Sequence, residues 1–158
     1  MRAWLQRIEM VEQVEEALRY RGEFSRFALV HCHHNYSEQQ PDGTWLSRKG
    51  AINAEVGVMG IIPGSMGAET HIVQGKGNQD SYCSAPHGAG RLLSRGGAKR
   101  TLDIETFKTQ MMGVTWDDRN AKDLLDEAPF AYKPIGQVMK DAEDLVSTVT
   151  VLKQFINY

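Results

Sequence analysis

The sequence predicts an α+β fold, mixed strands and helices without a strict βαβ rhythm, and three observations carry that expectation. Apolar residues near the start recur at helical spacing, short apolar or β-branched runs in the middle are bounded by glycine and proline, and the chain closes on a β-branched tail. Of fifteen glycines, ten lie between Gly57 and Gly97, so permissive backbone is concentrated where the chain must pass close to something. The 158 residues, 41% hydrophobic and 24% charged, suit one globular unit over residues 1–158 with no linker, repeat or low-complexity stretch.

In chain order, Trp4, Ile8, Val11, Val14 and Leu18 fall on one face of a helix that ends before Gly22. That stripe is exposed wherever the element it covers is missing. Phe27 to Val30 reads as a short strand delivering His31, Cys32, His33, His34 and Asn35. Along an extended chain His31 and His33 point one way while Cys32 and His34 point the other, so the four cannot hold one ion without a turn. One imidazole from this cluster with ligands from elsewhere suits a transition metal, and manganese, zinc and iron all remain open.

Pro41, Asp42 and Gly43 mark a turn, followed by a strand through Trp45 and a second turn at Lys49-Gly50, which makes Arg48 and Lys49 exposed turn residues. Ile61 and Ile62 form a brief strand before Pro63-Gly64-Ser65-Met66-Gly67, a change from strand to loop of the kind that presents backbone amides to phosphate. Neither a Walker pattern nor GxGxxG is present. His71 to Val73 is a strand ended by Gly75, Gly77 and Asn78. Asp103 or Thr101 caps a helix toward Met112, and Val114 to Trp116 is a strand. Pro134 opens a helix whose apolar face is Ile135, Val138, Met139 and Ala142, and from Val146 the run to Tyr158 is a long closing strand.

A formal net charge of -2 does not advertise nucleic-acid binding, yet Arg91, Arg95, Lys99 and Arg100 form a local basic cluster. Two cysteines without a leader segment point to a reducing compartment, the cytoplasm, with no disulfide. No apolar run is long enough to span a membrane. In His87-Gly88-Ala89-Gly90-Arg91 an imidazole precedes unobstructed backbone and a guanidinium suited to phosphate oxygens. The run fits either a histidine that attacks phosphorus or a His-Gly pair that ends a strand.

HCHHNY at 31–36, SRKGA at 47–51, GIIPGSMGA at 60–68, GKGN at 75–78, HGAGR at 87–91, SR at 94–95 and APFAYK at 128–133 occur in the order seen in RtcB-type RNA ligases. The chain resembles the C-terminal portion of that tRNA-splicing ligase family over nearly its whole length. The resemblance implies a GTP- and manganese-dependent ligase joining RNA 3′-phosphate or 2′,3′-cyclic phosphate ends to 5′-hydroxyl ends. His87 matches the histidine that becomes guanylylated, and His34 matches a metal ligand. Asn35, Pro63, Gly64, Ser65, Met66, Gly88, Ala89 and Gly90 match nucleotide contacts, with Thr70 where the family commonly has serine. Tyr132 matches an aromatic that packs on guanine, and Arg91 and Arg95 match arginines near the RNA phosphate.

The implied partners are RNA, the N-terminal half of the ligase and an archease-type activator. Absent from this sequence are the aspartate, cysteine and two histidines that complete the family's metal sites, its Asn-His-x-x-Glu segment and its terminal Lys-Gly. A non-catalytic module that binds guanine nucleotide or RNA is the alternative those departures leave open.

Overall fold

The computed structural model describes residues 2–26 and 28–157. The chain is α+β, and among the described residues the strands form three antiparallel sheets. β1 (Asn35–Gln39) and β2 (Trp45–Lys49) make a hairpin around the Pro41-Asp42-Gly43 turn, where Asp42 Oδ1 accepts the Thr44 amide at 2.9 Å. β3 (Ala51–Asn53) then leaves β2 and pairs with β6 (Ser84–Pro86). The corner between β2 and β3 is Gly50, whose φ of 70° lies in the left-handed region that glycine adopts without strain. The largest sheet has the order β4-β5-β7, from Met59–Pro63, Thr70–Gly75 and Val146–Leu152.

The helices are α1 (Arg2–Arg21), α2 (Arg95–Thr101), α3 (Ile104–Gln110), α4 (Ala121–Leu124) and α5 (Ile135–Asp141). Asp103 caps α3 through the Thr106 amide, as the sequence predicts, and Ser94 caps α2 through the Gly97 amide. One buried cluster joins Ile52, Ile62, Val73 and Val146 to Ile135 of α5 and Ala142 at the C-cap of that helix. A second gathers Phe107, Met111, Ala121, Leu125 and Ala128, with the Phe107 and Trp116 rings 4.8 Å apart. The two clusters flank the loops that carry the predicted site residues.

Several expectations are corrected. Residues 28–30 form no strand, and Phe27 lies outside the described residues. Ala28, Leu29 and Val30 instead face α1 across an apolar groove of about 910 Å³ whose floor includes Ile61, Ile72 and Val149. Of the α1 stripe, Ile8 and Val11 are half-buried while Trp4, Val14 and Leu18 are exposed. Polar contacts fix the helix: Arg7 bonds His31 at 2.8 Å and His33 at 2.9 Å, and Glu15 is paired with Arg19 and Arg26.

Val114–Trp116 is no strand either, because Thr115 makes a single bridge to Ile156. β7 ends at Leu152, and the following segment turns toward the Pro63–Met66 loop; Tyr158 is outside the described residues. Arg48 is no exposed turn residue, being only 3% exposed. Its guanidinium bonds Ser84 Oγ, the Tyr36 hydroxyl, the Glu38 carboxylate and the carbonyls of Tyr82 and Cys83. Tyr82 and Cys83 both take positive φ, 53° and 48°. A buried cation among so many acceptors is satisfied where a lone one could not be. Both cysteines are free.

Candidate nucleotide site

Two glycine-containing loops meet at the end of β4. The amide of Ala89 donates to the Pro63 carbonyl at 2.9 Å, stapling the His87–Gly90 run to the loop that leaves β4. The far side of that run is tied to Tyr132-Lys133, because the Lys133 amide donates to Gly90 at 2.9 Å and Arg91 bridges Tyr132. Between these segments lies a pocket of about 650 Å³. Pro63, Gly64, Ser65, Met66, His87, Gly88, Ala89, Gly90, Arg91, Arg95 and Tyr132 all line it. Eleven of the fourteen residues singled out by sequence therefore share one wall-to-wall site, in the size range of small-molecule pockets.

The three others lie behind it. Thr70 starts β5 and its hydroxyl receives Gln154 Nε2 at 3.4 Å. The His34 ring stacks on His87 with centroids 5.0 Å apart and planes 13° from parallel. Asn35 Oδ1 accepts the Gly50 amide at 3.0 Å, and the His34 carbonyl accepts the same amide at 2.7 Å. Gly50 is thus the link between the histidine cluster and the pocket, since its own carbonyl receives His87 Nδ1 at 2.7 Å.

That last bond fixes the chemistry of His87. A carbonyl oxygen only accepts, so Nδ1 carries the proton, and in the neutral ring the lone pair then sits on Nε2. Among the described residues Nε2 has no hydrogen-bond partner. The imidazole is exposed and oriented, with one ring nitrogen left unengaged among the described residues.

A nucleotide fits the surrounding groups. Ser65 Oγ is buried without a hydrogen-bond partner among the described residues, an orphan donor at the pocket wall. The Ala89 amide is consumed by Pro63, so the amides that remain for a phosphate are those of Gly88 and Gly90. A Cβ on Gly90 would meet no protein atom within 4 Å, whereas one on Gly64 would lie 2.8 Å from Ala68 Cβ and from the Glu69 carbonyl. Gly64 answers to packing within the chain, while Gly90 borders open space on the pocket side.

On the basic side Arg91 Nη2 donates to Glu127 at 2.6 Å, its other nitrogen reaches the Asp126 carbonyl, and its guanidinium lies 4.6 Å over the Tyr132 ring. The Tyr132 hydroxyl donates to Glu127. Burial, then that carboxylate, push the phenol up to about 12. One face of Tyr132 is therefore taken by Arg91, and the part-buried ring also packs against the first apolar cluster. Glu127, Gln154, Asn157 and Gly50 were not legible as site residues. Asn157 Nδ2 donates to the Met66 carbonyl at 2.5 Å, closing the Pro63–Met66 loop from the tail. The acidic pair just before APFAYK was the one signal for Glu127.

A manganese ion does not fit the donors of this chain alone. No three His, Cys, Asp or Glu side chains among the described residues converge to hold a metal. His31 and His33 are engaged by Arg7, and burial, then the Arg7 charge, holds both below the usual histidine range. Nor is any helix among the described residues long and apolar enough to cross a membrane.

The fold and the pocket define an α+β protein with a histidine oriented at a pocket that two glycine-containing loops build. The comparison with known families is specific: the model of tRNA-splicing ligase RtcB matches residues 2–158, and the chain belongs to that family. It is 42% identical over 130 residues to the RNA-splicing ligase RtcB of Escherichia coli K12, covering 80% of this chain and 31% of that relative. The tRNA-splicing ligase RtcB of Pyrobaculum aerophilum is 32% identical over 127 residues, 70% of this chain and 26% of the relative. That of Thermococcus kodakarensis is 29% identical over 154 residues, 82% and 32%. The chain spans between about a fifth and a third of the length of the curated relatives it matches.

Proposed function

We propose that this chain is the nucleotide-handling part of an RNA ligase that joins RNA 3′-phosphate or 2′,3′-cyclic phosphate ends to 5′-hydroxyl ends, in tRNA splicing or RNA repair. The observation that carries this reading is the 2.7 Å bond from His87 Nδ1 to the Gly50 carbonyl at the mouth of a pocket built by two glycine-containing loops. With the proton held on Nδ1, Nε2 attacks the α-phosphate of GTP and pyrophosphate leaves. The guanylate passes from His87 to the RNA 3′-phosphate, and the 5′-hydroxyl then attacks that end and expels GMP. Ser65 and the Gly88 and Gly90 amides hold the guanylate phosphate, Pro63, Gly64 and Met66 shape the loop, and Tyr132 packs on guanine. Arg91 and Arg95 take the RNA phosphate. Manganese, when bound, would stabilise charge on the phosphate; His34 would give it one imidazole, and its other ligands come from outside this chain.

Mass spectrometry tests the assignment, with this chain, GTP, manganese and a separately expressed segment of a family member carrying the missing metal ligands. A guanylate adduct on His87 that disappears in a folded His87→Ala variant is expected. An adduct that persists in His87→Ala refutes the nucleophile.

A further inference from the structure

Two carboxylates stand on the basic side of the pocket. Glu127 receives Arg91 at 2.6 Å, lies 3.8 Å from Arg95 and accepts the Tyr132 hydroxyl. Asp126 lies 3.7 Å from Arg95 and 3.4 Å from Lys99. Three cations thus face two anions, so the cluster has one formal positive charge to spare. Its guanidinium groups already hold an anion, and that anion is a side chain of the same protein.

The two carboxylates are not equivalent. Asp126 is tucked in, with a side chain 13% exposed, whereas Glu127 is 34% exposed and lines the pocket. Arg91 is anchored by Asp126 and Tyr132, while Arg95 is 74% exposed and only loosely paired. Two guanidinium groups and a phenol hydroxyl around one oxyanion form a donor set that suits a phosphate monoester as well as a carboxylate. Glu127 can swing into water and rehydrate, leaving those donors in place.

We propose that Glu127 is a resident anion that gates the Arg91–Arg95 pair, yielding its place to the terminal phosphate monoester of an RNA strand. The proposal rests on reading this pocket as the nucleotide and RNA-phosphate site, and it adds a rule of selection to it. A monoester carries about -1.5 to -2 charges at neutral pH, so exchanging it for a carboxylate gains electrostatic energy. An internal phosphodiester carries one charge and gains none by the same exchange. Glu127 therefore favours strand ends over strand interiors, by making every phosphate compete with a carboxylate already in position.

The test is binding of the 158-residue chain to a 3′-phosphorylated RNA dinucleotide, to the same dinucleotide without that phosphate, and to GMP, by calorimetry. Wild type should prefer the phosphorylated dinucleotide. Glu127→Gln should bind the unphosphorylated one tighter by about fivefold, the scale of one exposed charge contact, so that the preference shrinks. Unchanged or weaker binding of the unphosphorylated dinucleotide by Glu127→Gln, with its melting temperature preserved, overturns the gate. Should Glu127→Gln melt early, arginine Nε signals in the wild type decide. Addition of the phosphorylated dinucleotide must shift both Arg91 and Arg95, and an unmoved Arg91 refutes displacement. Shifts with GMP and not with the dinucleotide would assign the displacing monoester to the guanylate and refute the RNA-end assignment. Failure of the pocket reading is separable: if Arg95→Ala binds the phosphorylated dinucleotide as wild type does, the phosphate site itself lies elsewhere.

Discussion

Replacing Arg48 by methionine keeps the aliphatic stem and removes the guanidinium from a place that is 3% exposed. Tyr36 can turn its hydroxyl elsewhere, and Glu38, with a side chain 34% exposed, can rehydrate. Ser84 Oγ, 2.9 Å away, loses a donor, while the Tyr82 and Cys83 carbonyls, at 3.2 and 3.4 Å from the guanidinium, keep the Ser84 hydroxyl at 3.1 Å and the Ala54 amide at 2.7 Å. An acceptor that loses its donor costs about 1–3 kcal/mol, and the part-exposed ion pair loses less than a buried one, so a total of about 2 kcal/mol is expected. At this chain length that is a fall of roughly 4–8 °C in melting temperature.

A second consequence separates this account from simple loss of stability. Arg48 sits two residues before Gly50, and Ser84 three before His87, so the guanidinium ties together the two strands that frame the His87–Gly50 bond. Below its melting temperature Arg48→Met should show a changed His87 imidazole spectrum by ¹⁵N NMR, with the Nδ1 proton no longer fixed. Calorimetric melting within about 2 °C of wild type, together with an unchanged His87 spectrum, would refute the hub assigned to Arg48.

Gly90→Val should cost roughly 1–2 kcal/mol of stability, since φ is 72° there and the penalty is one of backbone alone, yet weaken GMP binding by more than tenfold. Equal GMP affinity in the two proteins would count against a pocket-facing Gly90. Glu15 is held below its ordinary value of 4.5 chiefly by its hydrogen bond from Arg26. Its contribution to docking α1 is thus present above that value and is lost as pH falls through the depressed one. Amide exchange in α1 should accelerate below about pH 4.5 in wild type, while Glu15→Gln should be looser at pH 6 and flat across that range; a wild-type profile as flat as the variant's would contradict the pairing.

The site was more legible than the framework that holds it. HGAGR and GIIPGSMGA are local runs, and local runs place their residues together once a single bond, Ala89 to Pro63, joins them. Arg48 shows the opposite case. Beside Lys49-Gly50 it reads as a turn cation, and only the departure of β3 to pair with β6 encloses it between two sheets. The histidine cluster was half legible: alternation does send His31 and His33 to one side, onto Arg7, and His34 to the other, onto His87. What turned out otherwise was the strand itself, because residues 28–30 meet a helix and a groove rather than a neighbouring strand. The tail failed for a similar reason. The β-branched run stops at Val151, past which Ile156 alone is β-branched, and the hydrogen bonds of Gln154 and Asn157 to Thr70 and Met66 pull the tail off the sheet.

The 158-residue chain alone is expected not to ligate RNA, and the reason is a count of donors. An ion that aligns a phosphate and stabilises its developing charge needs several ligands in fixed geometry. Among the described residues no three metal-binding side chains converge. His34 is stacked on His87, His31 and His33 receive Arg7, and Cys32 packs against an apolar cluster. Rearranging this set into a site would break the bonds that fix α1 and the His87 ring, so its own instability opposes the metal. Nucleotide binding is a separate matter, because the pocket walls come from this chain. The expected pattern is therefore GMP binding by the chain alone, no ligation of a 3′-phosphate to a 5′-hydroxyl end with GTP and manganese, and ligation on adding a segment that carries the missing ligands. Sustained turnover by the isolated chain would show that the donor count is wrong.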